Sequence, residues 1–109
     1  MMADAADEPF VMFACLWLEP DGGAEKYQEY LDAVKPIIEE HMGGQAFVNN
    51  AYVPVEVVDG DLEPDLVVFN DYPSEAAFRD LLRDPRFQAL EPLRDAGVER
   101  KHLVRLRKK

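Results

Sequence analysis

Cysteine occurs once, at Cys15, so neither an intrachain disulfide nor a cysteine-based zinc site can form. Histidine occurs only at His41 and His102. A metal site built on them would need both to converge with a carboxylate, and no local spacing brings them together, so no metal is expected. The longest apolar run, Phe10–Leu18, is nine residues, against about 20 for a bilayer span. Met1–Pro9 has no basic residue, so the positive start of a secretory signal is missing. The expectation is a cytoplasmic protein with no membrane association. A phosphate-cradling glycine loop, a Ser-His-Asp set and a CxxC pair are all absent, and no cofactor is expected.

Positive charge is also scarce, at 12 Lys+Arg against 22 Asp+Glu. Six of the twelve lie in residues 100–109, which hold no acidic residue. Residues 1–99 therefore carry 6 − 22 = −16 and the last ten carry +6. So acidic a body repels phosphate backbones, which argues against nucleic acid as a partner.

What is present reads as one domain over residues 10–107, with a loose acidic lead over 1–9 and a basic tail at 108–109. Phe10–Leu18 is short, apolar and aromatic-rich, and Glu19-Pro20-Asp21-Gly22-Gly23 closes it, which predicts a strand. Both of its faces are apolar and both need cover. Residues 24–42 place Tyr27, Tyr30, Leu31, Val34, Ile37, Ile38 and His41 at helical spacing. Pro36 should kink that helix or lead its last turns, and Gly43-Gly44 stops it. Gln45–Val58 reads as a long or bent strand, with Phe47, Asn49, Ala51, Val53, Val55 and Val57 on one face and an edge or bulge at Pro54. Asp59-Gly60 is a hairpin signal. Asp65–Asp71 is the next strand. Ser74 caps a second helix, and Asp84 with Pro85 restarts it toward Gly97. His102–Arg107 is the last strand.

The order strand, helix, strand, strand, helix, strand predicts an α+β, ferredoxin-like βαββαβ domain, a four-stranded antiparallel sheet with two helices on one face. The other face would leave several hundred Å² of apolar surface in water. A second copy packing sheet to sheet would cover it, making a homodimer. Folding of the 45–58 segment or the lead over the sheet would also cover it.

From about residue 10 to residue 107 the chain resembles the bacterial domain-of-unknown-function family 1330, within the dimeric α+β-barrel superfamily. The resemblance rests on Tyr27 and Tyr30, Gly43-Gly44, Gly60, the stretch Val67–Ala77, the Asp84-Pro85-Arg86-Phe87 step and Leu93-Arg94. Two departures stand out: Gln45-Ala46-Phe47 replaces an arginine and a glycine pair, and Leu81 or Leu82 replaces a tryptophan. The resemblance implies a homodimer with a cleft between sheet and helices, and it implies no activity.

Candidate ligand-binding residues are Trp17, Tyr27, Asn70 and Arg94. The aromatics would give contact area to a flat apolar molecule. Asn70 shares the Leu66/Val68 face and needs hydrogen-bond partners if buried. Arg94 could hold a ligand carboxylate by a two-pronged contact, or pair with Glu91, Asp95 or a carboxylate of a partner chain. His41 could act as a general base or interact with the last-turn carbonyls of its own helix. Asp71 could face a pocket mouth or order the turn before Pro73. Cys15 reads as a small buried hydrophobe. Two functions fit. One is a cleft that binds a small apolar or aromatic organic molecule, with or without cofactor-free chemistry; the other is a non-catalytic dimeric module whose polar residues are structural.

Overall fold

The first strand, β1 (Phe10–Leu18), lies in the interior of the sheet and organises the rest. The computed structural model describes residues 8–107 and 109; the lead over 1–7 and Lys108 of the tail lie outside the described residues. α1 (Gly23–His41) follows, then β2 (Asn49–Tyr52) and β3 (Leu66–Tyr72). A second helical arm is broken into α2 (Glu75–Arg83), α3 (Pro85–Gln88) and α4 (Glu91–Gly97), and β4 (Val98–Leu106) closes the chain. The sheet runs β2-β3-β1-β4, and β1 pairs antiparallel with both neighbours. This is the expected ferredoxin-like arrangement, with the second helix delivered as three segments.

Local chemistry sets the boundaries. The Ser74 hydroxyl accepts from Ala77 N at 3.1 Å and caps α2. The Asp84 carboxylate accepts from Arg86 N at 2.8 Å and caps α3, with Pro85 at its first position, where a missing N–H costs nothing. α1 passes through Pro36 and ends before Gly43, whose φ of +68° suits glycine.

Two strand boundaries differ from expectation. The 45–58 segment forms a strand only over Asn49–Tyr52. Val53 is 74% and Val55 99% exposed, so the alternating valines have no ladder to join, and Pro54 cannot donate to one. β4 begins at Val98, four residues before His102, because Arg100 and Lys101 pair with Trp17 and Leu16 of β1.

Alternation along β1 sorts the two sheet faces. Phe10, Ala14 and Leu16 are buried under the helices with Val34, Ile38, Val68 and Leu81. The opposite face carries Phe13, Cys15 and Trp17, flanked through the ladder by Phe69, Val104 and His102. Phe13 packs on Phe69 at 5.2 Å, and Tyr52 meets Phe69 edge-on at 6.0 Å. Among the described residues no helix covers that face; Val104 is 47% and Tyr52 59% exposed.

The basic end of the chain folds inward. Arg105 pairs with Glu75 at 3.1 Å and Lys101 with Asp95 at 3.7 Å, while Arg107 lies 3.9 Å from Glu8. Hydrogen bonds from Arg105 and Arg79 hold the Glu75 carboxyl below its usual range.

Candidate functional site

Between the helices and the inner sheet face, side chains leave a cavity of about 150 Å³. Helix α1 supplies one wall with Tyr27, Tyr30, Leu31, Val34 and Ile38. These positions recur every three or four residues, so one stripe of the helix faces the sheet. Met12, Ala14 and Leu16 of β1 form the floor, and Asn70 and Tyr72 extend it along β3. Phe78, Leu82 and Phe87 from the second arm, with Phe47, close one end. Glu91, Arg94, Lys101 and Leu103 complete the lining, and the partly exposed β4 residues mark its open side.

The walls are mainly apolar, and the exceptions are specific. Tyr27, Tyr30 and Tyr72 are 9%, 8% and 8% exposed. The Tyr27 and Tyr30 rings stack at 6.1 Å. Burial pushes the Tyr27 hydroxyl up to about 12; Tyr30 adds to the rise and Arg94 opposes it. Burial raises Tyr72 as well, reinforced by Tyr30 and Tyr27. Tyr30 is raised by burial, and the charge of Arg94 opposes the rise. All three phenols are thus neutral donors at pH 7.

Three of the four principal candidates meet here: Tyr27, Asn70 and Arg94. The Asn70 carbonyl accepts from Asn49 Nδ2 at 2.7 Å, which supplies the partner its partial burial requires. Arg94 Nε lies 3.4 Å from Asp95, a long contact. Trp17 does not join them. It stands on the opposite sheet face, 5.3 Å from His102 and under the Arg100 guanidinium at 4.4 Å. The reason is strand alternation: Ala14 and Leu16 face the helices, so Trp17 cannot.

The lower-ranked candidates also lie apart from the cavity. His41 Nε2 meets Asp84 Oδ2 at 2.8 Å, and Arg86 bridges Asp84 and Glu40 at 2.8 and 2.9 Å. Hydrogen bonds from Arg86 and His41 hold Asp84 well below the usual carboxylate range. This cluster ties the end of α1 to the start of α3. Asp71 is exposed, beside Val11 on the outer face. His102 packs on Trp17, and among the described residues no group of metal-ligating side chains gathers. Cys15 is buried, which raises its thiol.

Tyr30 and Tyr72 line the site beside the expected residues. Their signals were available: Tyr30 lies one turn from Tyr27, and Tyr72 two residues from Asn70 on the same strand face. A second, larger hollow of about 290 Å³ is lined by Glu8, Pro9, Phe10, Glu75, Arg105 and Arg107. Its cations are already paired with its acids, and it is the weaker candidate.

The architecture has close counterparts. A protein of unknown function from Rhodopseudomonas palustris superimposes with a TM-score of 0.78 at 29% identity, over 94% of this chain and 84% of that one. A dimeric ferredoxin-like protein of unknown function from Jannaschia matches with a TM-score of 0.71 at 14% identity, over 92% and 99%. A Bacteroides thetaiotaomicron protein provisionally named an antibiotic biosynthesis monooxygenase matches with a TM-score of 0.66 at 19% identity, over 94% and 91%. At those last two identities the likeness is one of fold. No curated protein matches the chain significantly. Residues 22–105, most of the chain, match one protein family, and the chain accordingly belongs to the family described as Domain of unknown function (DUF1330).

Proposed function

We propose that this protein is a homodimer that binds a small apolar or aromatic organic molecule in the cavity between α1 and the inner sheet face. The observation that carries the reading is the cavity itself. Well-packed cores seldom leave spaces larger than a water molecule, whereas this one keeps about 150 Å³ among aromatic and aliphatic walls. That volume is about the size that accepts one benzene ring. Asn70, Arg94 and the tyrosine hydroxyls give such a ligand polar anchors at fixed positions.

The dimer draws support from the outer face. Phe13, Trp17, Phe69, Tyr52 and Val104 form an apolar and aromatic patch over which, among the described residues, no helix packs, and only Arg100 and His102 lie against Trp17. A sheet-to-sheet pairing of two copies would remove it from water. The Jannaschia neighbour of the same fold is described as dimeric. Light scattering at micromolar protein and ordinary salt should return twice the chain mass; a monomer mass refutes the dimer.

Thermal-shift screening against small aromatic and aliphatic compounds tests the binding reading, because a ligand specific to the folded state raises the melting temperature by mass action. Hits should lose their shift when Val34 or Ala14 is enlarged to Phe and the cavity is filled. Blanks across the set would favour a module whose polar residues are purely structural.

A further inference from the structure

We propose that the cavity's ligand carries a single carboxylate, bound by the Arg94 guanidinium together with the hydroxyls of Tyr27, Tyr30 and Tyr72. The assignment rests on the binding reading above and adds the ligand's chemical class. Each tyrosine is more than nine-tenths buried and lines the cavity. Among the described residues neither the Tyr27 nor the Tyr72 hydroxyl has a hydrogen-bond partner, yet neither is sealed in as a buried orphan. Both therefore open onto unfilled space. The Tyr27 and Tyr30 rings stack at 6.1 Å, and both line the same cavity as Tyr72. Arg94 lines that cavity with them. Asp95 accepts a hydrogen bond only from its Nε, at 3.4 Å, and among the described residues neither terminal nitrogen donates to a carboxylate.

Phenol O–H groups and a guanidinium are all donors here, so the missing complement is an acceptor, best an anion. Glu91, on the rim, is exposed and would repel a second negative charge. The apolar remainder of the cavity has room for one ring or a short alkyl chain. A small aromatic or branched aliphatic monoacid satisfies both halves.

Three probes of matched size separate the outcomes: benzoate, benzamide and toluene, titrated calorimetrically into the full chain at pH 7. Benzoate should bind about tenfold more tightly than benzamide, the scale of one charge-assisted contact. Arg94→Gln should erase that preference, and Tyr30→Phe and Tyr72→Phe should each reduce it. Melting curves of the variants establish that each is folded. Equal binding of benzoate and benzamide, or a preference that survives Arg94→Gln, overturns the carboxylate assignment and leaves the cavity reading intact. Failure of all three probes, toluene included, overturns both.

Discussion

Gly23 and Gly97 hold the first turn of α1 against the end of α4, and replacing Gly97 by Ala should destabilise the fold for a purely steric reason. A Cβ on Gly97 would stand 2.8 Å from the Gly23 carbonyl oxygen and 3.0 Å from Tyr27 N. Both neighbours are backbone, so no side chain can swing away; α4 must shift. Overpacking of this kind costs about 1–3 kcal/mol. The lower entropy of the unfolded chain returns about 0.4–1 kcal/mol on Gly→Ala. The net loss is about 1.5 kcal/mol, or about 6–12 °C in melting temperature for a domain of this size. Thermal and urea unfolding at one fixed protein concentration measure it. Gly43→Ala provides the contrast. Nothing lies within 4 Å of a Cβ at Gly43, and its φ of +68° makes the cost conformational. Asn tolerates that φ and should recover much of the loss at 43, while Gly97→Asn should be worse than Gly97→Ala. A Gly97→Ala protein as stable as the parent, or more so, refutes the close-contact account. The same shift moves Arg94 relative to Tyr27, so ligand affinity should fall along with stability.

Three further outcomes are expected. Leu81 is 1% exposed between α2 and the sheet, and Leu81→Ala should cost about 2–5 kcal/mol by urea denaturation. Asp84 is held below its ordinary value of 3.8, so its contribution is complete above that pH and is lost as pH falls below it; the melting temperature of Asp84→Asn should therefore decline less than that of the parent on acidification from pH 5. At the alkaline end, Tyr27 ionises near 12 in the fold against 10 when free, so its share of stability persists below pH 10 and disappears between 10 and 12. Tyrosinate absorbance should accordingly retain a late-titrating component that Tyr27→Phe reduces.

How legible these features were depends on whether their cause is local. Ser74 and Asp84 act within three residues of themselves, and both caps stand as the sequence predicts. The helical stripe from Tyr27 to Ile38 is likewise a property of one segment. β2 is shorter than its sequence suggests because alternating valines form a strand only when a partner ladder exists, and none reaches Val53 or Val55. β4 starts ahead of its apolar residues for the converse reason: Arg100 and Lys101 carry no apolar signal, yet β1 pairs with them through its backbone. The side taken by Trp17 is not legible because β1 is apolar on both faces, and no local pattern says which face the helices take. The outer patch and the inner cavity were both foreseeable as apolar surfaces on opposite sides of the sheet; which β1 residues line each was not.

The central claim is that the space bounded by Tyr27, Val34 and Tyr72 is a ligand site, and a crystal structure of the protein saturated with toluene tests it most directly. The account predicts ring-shaped density between α1 and β1, in contact with Val34 and Ala14, with the backbone unmoved. A cavity closed by rotation of Leu82 and Phe87, or a ring bound only on the outer sheet face, would contradict it.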